Sequence, residues 1–258
     1  MASAKELILR PITSAEANAA VKRYHYSGKV VRNSQLHIGA FWNGRIEGAM
    51  QFGPSLDKRK IMGLVAGTGW NDFLELNRMA FSDNLPRNSE SRAIAIAMRM
   101  IRKYSPHVQW VVSFADGAQC GDGTIYRASG FVLTGIKVNK QILNWNGRLI
   151  ARKTLDTPKY PKIDGRYYSR VLRERGEATA IPGYQLRYIY FLDPTARERL
   201  TVPILPFSEI ERVGASMYKG QAKARARGVV SDTADFQSAG DGATPILALQ
   251  PDTNLPIE

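Results

Sequence analysis

The sequence has little of what stabilises or anchors secreted and membrane proteins. Its single cysteine, Cys120, excludes an internal disulfide framework and fits a reducing compartment. No apolar run approaches the roughly 20 residues that a membrane-spanning helix requires, and the N-terminus lacks the apolar core of a signal peptide. Its three histidines, His25, His37 and His107, do not have the spacing of a zinc site. These absences predict a cytoplasmic protein without a membrane partner.

Two nucleotide-binding motifs are also missing. The segment 57–70 contains three glycines, but no strand-turn-helix pattern surrounds them and no Gly-Lys-Ser or Gly-Lys-Thr follows, so we expect a flexible loop. There is no segment like Asp-Pro-Pro-Tyr and no glycine-rich loop after a first parallel strand. An adenine methyltransferase is therefore disfavoured.

Charge is divided unevenly along the 258 residues. Residues 229–258 contain five acids and no Lys or Arg, whereas in residues 1–228 all 36 Lys and Arg residues stand against 18 acids, a net charge of +18. A basic body of this size predicts a polyanionic partner, nucleic acid foremost, because neutralising phosphates releases bound counterions. From about residue 220 onward the sequence is rich in Ala, Gly, Asp, Ser and Pro. This composition predicts a disordered acidic tail at residues 221–258, after a folded domain at residues 1–220.

Hydrophobic patterning predicts a mixed α and β core. The strand-like runs 36–42 and 45–52 flank Asn43-Gly44, a pair typical of a tight β-hairpin. Residues 90–104 place their apolar side chains on one helical face, which indicates a helix packed on a sheet. Residues 109–114 form a short apolar run suited to a strand covered on both faces.

The segment 85–92 leads directly into that helix. Unpaired backbone N–H groups and the helix dipole face the loop, and Arg87 and Arg92 add positive charge, so the segment is a candidate phosphate site. The alternative is an ordinary capped helix, with Asn88 or Ser89 as the N-cap.

Polar residues at two other places are candidates for chemistry. Ser113 and Asp116 end the buried strand and Tyr126 follows on the next element, while His25 and Tyr26 lie in an upstream loop. Such positions commonly supply acids, bases or positioning groups. The alternatives are a Ser/Asp turn without chemistry, a packed tyrosine and an inert exposed histidine.

Several of these motifs, taken in order, resemble the Mom family of phage DNA-modification proteins over about residues 20–195. The motifs are His25 to Gly28, Glu75 to Arg78, Leu85 to Arg92, Val112 to Asp116 and Gly123 to Tyr126. The family is similar in fold to GNAT-type acyltransferases. The resemblance therefore implies an α/β protein with a central mixed, mostly antiparallel sheet, flanked by helices and splayed between residues 75–78 and 109–114.

The resemblance also implies a function. An enzyme of this family would use acetyl-coenzyme A to convert the N6 amine of adenine in double-stranded DNA to a carbamoylmethyl derivative, protecting phage DNA from restriction. Acetyl transfer alone would leave an N-acetyl group, so a further step must supply the amide nitrogen. A metal ion is a candidate second cofactor, with no ligands assigned.

Site residues follow from the same resemblance. The pyrophosphate of coenzyme A would be held by Arg87, Asn88, Ser89, Ser91 and Arg92, in place of the usual glycine-rich loop. The reactive cleft would contain His25, Tyr26, Ser113, Asp116 and Tyr126. Asp116 or His25 would be the general base, and Tyr126 would protonate the leaving thiolate.

Residues 140–200, rich in both basic and aromatic side chains, would contact DNA. A base inside a duplex must be flipped out to reach such a cleft. Phosphate contacts and base stacking are assigned to Arg152, Lys153, Lys159, Tyr160, Arg166, Tyr167, Tyr168 and Arg170. The alternative is a solvated basic region with core tyrosines. Two other functions stay open: a GNAT-like acyl or aminoacyl transferase acting on RNA or another acceptor, and a non-catalytic nucleic-acid-binding protein.

Overall fold

The predicted hairpin begins the antiparallel half of a large sheet. Asn43 and Gly44 both have positive φ, 48° and 75°, as a two-residue turn between twisted strands requires. The turn joins β2, Leu36–Trp42, to β3, Arg45–Gly53. The computed structural model describes residues 3–218 and 221–222.

The other strands of the described residues are β1 Ile8–Pro11, β4 Phe73–Phe81, β5 Trp110–Asp116, β6 Val132–Val138, β7 Ile142–Trp145, β8 Arg148–Ala151, β9 Ala178–Ala180, β10 Tyr184–Phe191, β11 Met217–Tyr218 and β12 Gln221–Ala222. Seven of the strands form the large sheet, in the order β1-β2-β3-β4-β5-β10-β6. Neighbouring strands in this sheet are antiparallel except β4 and β5, which are parallel.

Helices cover both faces of this sheet. The predicted amphipathic helix is α3, Ser89–Tyr104, whose Ile94, Ala97 and Met98 are buried in the main core. The helices are α1 Ser14–Tyr24, α2 Lys58–Met62, α3, α4 Thr124–Ala128, α5 Arg152–Leu155, α6 Tyr168–Glu174, α7 Thr195–Glu198 and α8 Ser208–Arg212, preceded by a 3₁₀ turn at Ala4–Glu6. The predicted mixed, mostly antiparallel sheet flanked by helices is therefore confirmed.

The expectation of a flexible loop at residues 57–70 is wrong. Helix α2 forms within this segment with Asp57 as its N-cap. Leu64 and Val65 are buried, and with Ile61 they pack on Phe73 and Trp110 in a second core on the other face of the sheet. Burial of these three apolar side chains fixes a segment whose glycines suggested mobility.

The basic, aromatic region is an insertion between β6 and β10. Its strands β8-β7-β9 form a separate three-stranded sheet, with α5 and α6 packed beside them. Every helix in the described part of the chain is too short or too polar to cross a membrane. Apart from residues 221–222, the predicted acidic tail lies outside the described residues.

Candidate active site

The central strands β4 and β5 separate after a short contact. They pair through three residues only, from Phe73↔Trp110 to Glu75↔Val112. Beyond Glu75, β4 continues along β3, while β5 continues along β10 as far as Asp116. The predicted splay is confirmed. Polar side chains of both strands occupy the resulting cleft, where backbone groups are no longer shared between them.

Asp116 lies at the end of β5, at the wide part of this cleft. Its carboxylate accepts hydrogen bonds from the Ala118 backbone N–H at 3.1 Å and from the Gln119 side-chain amide at 2.8 Å. Burial raises the pKa of this carboxyl despite these hydrogen bonds. An oriented carboxylate with a raised pKa is a suitable proton acceptor at neutral pH.

The loop after α1 brings His25 and Tyr26 to Asp116. The Tyr26 hydroxyl donates to Asp116 Oδ2 at 3.3 Å, and the ring of His25 lies 4.3 Å from the ring of Tyr26. Burial and the neighbouring Asp116 charge raise the pKa of Tyr26, although 48% of its surface is exposed. Tyr26 therefore remains a protonated hydroxyl at the mouth of the cleft.

His25 is poorly suited to accept a proton. Its Nδ1 accepts the Ser27 backbone N–H at 3.2 Å and lies 2.8 Å from the Ser27 hydroxyl, so the neutral ring carries its proton on Nε2. Burial and the charge of Arg78 lower the pKa of His25 to about 3. Of the two predicted bases, this geometry favours Asp116.

Ser113, three residues before Asp116 on β5, lies beside Tyr126 of α4. Ser113 is buried and its hydroxyl donates to the Leu76 carbonyl at 3.5 Å, across the gap between the strands. Burial raises the pKa of Tyr126 to about 12, against a smaller opposing effect of the neighbouring Ser113 side chain, so the Tyr126 hydroxyl is protonated at neutral pH. The Tyr126 ring packs 5.3 Å from the Tyr188 ring.

The motif from Glu75 to Arg78 on β4 contains three polar residues to which the sequence assigned no role: Glu75, Asn77 and Arg78. All three are buried. Burial raises the pKa of Glu75 and lowers that of Arg78. The composition of β4 could have indicated these residues as part of a site. An acid, an amide and a guanidinium inside an otherwise apolar strand are rarely buried without a role.

The predicted cofactor loop lines a cleft of about 700 Å³ at the start of α3. Asn88 occupies the N-cap position of α3 with φ 68° but makes no side-chain capping hydrogen bond. The structure therefore differs from the alternative expectation of an ordinary capped helix. The charged side chains of the lining are all basic: Lys5, Arg87, Arg92 and Arg99. Ser91 also lines this cleft.

Two polar atoms at this helix start have no hydrogen-bond partner. They are the hydroxyl oxygen of Ser89, which is 1% exposed, and Nε of Arg92. Arg92 is held in place by its Nη2, which donates to the Lys5 carbonyl at 3.3 Å. Uncapped N–H groups and a surplus of positive charge make this end of α3 suited to a phosphate.

Within residues 3–218 the structure assigns no ligands to the metal expected as a candidate second cofactor. No group of three or more His, Cys, Asp or Glu side chains arranged to hold a metal ion occurs in residues 3–218.

The aromatic residues of the insertion form a small core. Tyr160 and Tyr168 stack with ring centroids 5.4 Å apart, and both meet Trp145 edge-on. These half-buried tyrosines pack on Leu143, Leu155 and Leu172, the packing that the alternative of core tyrosines expects. Tyr167, by contrast, is 52% exposed.

The basic residues of the insertion differ in exposure and in whether they already form ion pairs. Arg166 and Arg170 both bind the Glu174 carboxylate, at 2.9 and 2.8 Å. Lys159 is exposed, and Arg152 and Lys153 are half-buried. We therefore expect the lysines to be the more available phosphate contacts.

The candidate site thus lies at a mixed sheet with one splayed parallel pair, beside the uncapped start of a helix. The chain belongs to the Mom protein family, whose model matches residues 6–209. It is 36% identical over 202 residues to the methylcarbamoylase mom of Escherichia phage Mu, covering 78% of this chain and 81% of that protein.

Solved structures with similar folds are acetyltransferases, each matching 72% of this chain. They include an IAA acetyltransferase from Bacillus cereus, with a TM-score of 0.41, 9% identity and 99% of its chain covered. The ribosomal-protein-S18-alanine N-acetyltransferase from Escherichia coli has a TM-score of 0.40, 11% identity and 94% coverage. An acetyltransferase from Bacillus subtilis in complex with CoA has a TM-score of 0.40, 9% identity and 97% coverage.

The lowered pKa of His25 predicts a pH-dependent stability. The folded ring stays neutral down to a pH of about 3, whereas in the unfolded chain it binds a proton below about 6.5. The unfolded state therefore binds more protons, and stability falls as the pH decreases below 6.5. Between pH 7 and pH 5 the wild type should lose about 1–2 kcal/mol more than a His25→Gln variant, measured by urea denaturation. Parallel losses in both proteins would contradict the assignment.

Proposed function

We propose that this protein is a DNA-modifying enzyme that converts the N6 amine of adenine to a carbamoylmethyl derivative with acetyl-coenzyme A as cofactor. It would act in the host cytoplasm and protect phage DNA from restriction. Membership of the Mom family over residues 6–209 supports this function, as does the name methylcarbamoylase carried by the phage Mu relative. The observation that carries the proposal is convergence: segments separated by up to 90 residues, such as Tyr26 and Asp116, meet at one polar cleft.

The cleft at the start of α3 fits the phosphates of coenzyme A. Lys5, Arg87, Arg92 and Arg99 line this cleft, Arg92 Nε has no acceptor, and α3 begins beside it without a side-chain cap. The unpartnered Ser89 hydroxyl is buried next to this lining. Phosphate oxygens would supply the missing acceptors. Bound there, acetyl-coenzyme A supplies a two-carbon unit as an activated thioester. β4 runs toward the loop that precedes α3, and it separates from β5 after Glu75. The gap between the two strands therefore widens toward the end of the sheet at which this cleft lies.

Combined replacement of Arg87 and Ser89 by alanine should weaken coenzyme A binding about tenfold or more, since it removes a cation and a buried hydroxyl donor. Isothermal titration calorimetry with coenzyme A measures this. Arg175→Ala, which removes an exposed cation of the insertion, is the control and should leave affinity unchanged. An unaltered affinity of the double variant would place the phosphates elsewhere.

Two residues have the proton states that the reaction needs. Adenine N6 is a weak nucleophile, so its proton must be removed as the new bond forms. Asp116 holds an ionisable carboxylate in a fixed orientation and is assigned to accept this proton. Tyr126 keeps its hydroxyl proton at neutral pH and is assigned to donate it to the sulfur when the thioester is cleaved. Ser113 orients that hydroxyl. Transfer of the acetyl group to N6 alone would give N6-acetyladenine, so the amide nitrogen and the carbamoylmethyl connectivity would require a further step with a nitrogen-donating co-reactant.

Mass spectrometry of nucleosides from DNA of cells expressing the protein tests the function. A modified deoxyadenosine is expected with the wild type. Asp116→Asn should reduce its amount about 100-fold or more, because it removes the proton acceptor. Asp164→Asn, at a carboxylate that is 81% exposed, should have no effect. Unmodified DNA despite folded wild-type protein would refute the proposal, and a modified RNA or small-molecule acceptor would indicate another transferase.

The insertion lies at the mouth of the same cleft. It leaves the large sheet after Val138 and returns at Tyr184, which pair with each other, and the next residue of β10, Gln185, pairs with Asp116. Between residues 139 and 183 there are ten Lys or Arg and four Asp or Glu. A basic element at this position would hold duplex DNA while the target base leaves the stack.

Replacing Lys153 and Lys159 together by alanine should weaken DNA binding and make it less dependent on salt. If both contact phosphates, the slope of log affinity against log salt concentration should decrease by about 1.8. Fluorescence anisotropy with a labelled duplex measures this slope. The matched control, Lys22→Ala with Lys103→Ala, removes the same charge from exposed positions of α1 and α3. An equal change in both variants would show a general charge effect.

A further inference from the structure

Two polar atoms on neighbouring residues of β4 have no hydrogen-bond partner. They are Oδ1 of Asn77 and Nη2 of Arg78, and the two residues are only 6% and 5% exposed. An unpaired polar atom costs a protein free energy when it is withheld from water, and more so when it belongs to a charged group. Buried polar atoms without a partner are uncommon, and an unbound ligand is one explanation for them.

A β-bulge places these two side chains together. The register of β4 with β3 shifts here, so that Gln51 faces Arg78, Phe52 faces Leu76, and Asn77 has no partner. Bulges interrupt the alternation of side chains and redirect them. Asn77 and Arg78 therefore lie together beside the splay, although they are consecutive in the chain.

Their remaining polar atoms are fixed by the protein. Arg78 Nε donates to the Lys29 carbonyl at 3.1 Å and Nη1 donates to the Asn77 carbonyl at 2.7 Å. Asn77 Nδ2 donates to the Pro54 carbonyl at 3.5 Å, which orients the amide with Oδ1 as the free end. One acceptor and one charged donor are thus held ready.

We propose that Asn77 and Arg78 read the Watson–Crick edge of the target base, with Asn77 Oδ1 accepting a hydrogen bond from the N6 amine and Arg78 Nη2 donating one to N1. This rests on the proposed function and names the edge of the substrate that the site recognises. Guanine and thymine present a carbonyl and a ring N–H at these places. An acceptor beside a donor therefore selects amino bases and rejects keto bases.

This placement is compatible with the catalytic groups. The Asp116 carboxylate opposes the effect of burial on the pKa of Arg78, so the proton acceptor lies within electrostatic range of the base-reading pair. With one N6 hydrogen on Asn77, the other is free for Asp116. Arg78 Nε donates to the Lys29 carbonyl, which ties the pair to the loop that carries Tyr26 and its contact with Asp116.

Base analogues test the assignment with the wild-type protein. A duplex that is modified at one adenine is prepared with 1-deazaadenine, which lacks N1, or 7-deazaadenine, which retains it. Modification at 1-deazaadenine should be about tenfold slower or more, the effect of losing a hydrogen bond to a charged group. The rate at 7-deazaadenine should stay within about threefold of that at adenine. Because 1-deazaadenine pairs more weakly with thymine, easier flipping would act in the opposite direction.

Arg78→Met completes the test. It should reduce the ratio of the adenine rate to the 1-deazaadenine rate toward one, whereas Arg187→Met, which removes another partly buried guanidinium, should preserve that ratio. Equal wild-type rates on both bases, or an unchanged ratio in Arg78→Met, would overturn the proposal. If Arg78→Met does not fold, as judged by circular dichroism, the wild-type comparison decides. Failure to modify any adenine would instead refute the proposed function and this assignment with it.

Discussion

The site depends on the short parallel contact between β4 and β5. Three residue pairs hold the strands together at Glu75 and before, and each strand then finds its hydrogen bonds on its other side. β3 and β10 satisfy only the backbone groups that point away from the gap, so groups that face the gap need other partners, such as the Ser113 hydroxyl that donates to the Leu76 carbonyl. The same gap separates Asn77 and Arg78 on one strand from Ser113 and Asp116 on the other.

Burial without full pairing sets the chemistry of this gap. Desolvation raises the pKa of Asp116 and keeps Tyr126 protonated, while it holds His25 neutral. Polar groups are also left without partners at the uncapped start of α3 and at Asn77 and Arg78 of β4. Each feature costs stability in the free protein, a cost that a ligand supplying the missing partners would offset.

Local sequence signals predicted the elements well where a local physical rule applies. The Asn43-Gly44 turn, the amphipathic α3 and the buried β5 follow from backbone preference and periodicity. Segment 57–70 did not, since its order comes from Leu64 and Val65 packing on distant residues. Tyr160 and Tyr168 likewise look like stacking platforms in sequence, yet they form a core because Trp145 and three leucines enclose them.

The sequence alone determined the class of fold, the family resemblance and the residues from which a site would be drawn. Tertiary structure decided how those residues are used. The tautomer of His25, the contact of Tyr26 with Asp116 and the bulge at Asn77 depend on groups up to 90 positions apart. Hydrogen bonding, burial and register arise between chain segments, and neither periodicity nor motif order specifies them.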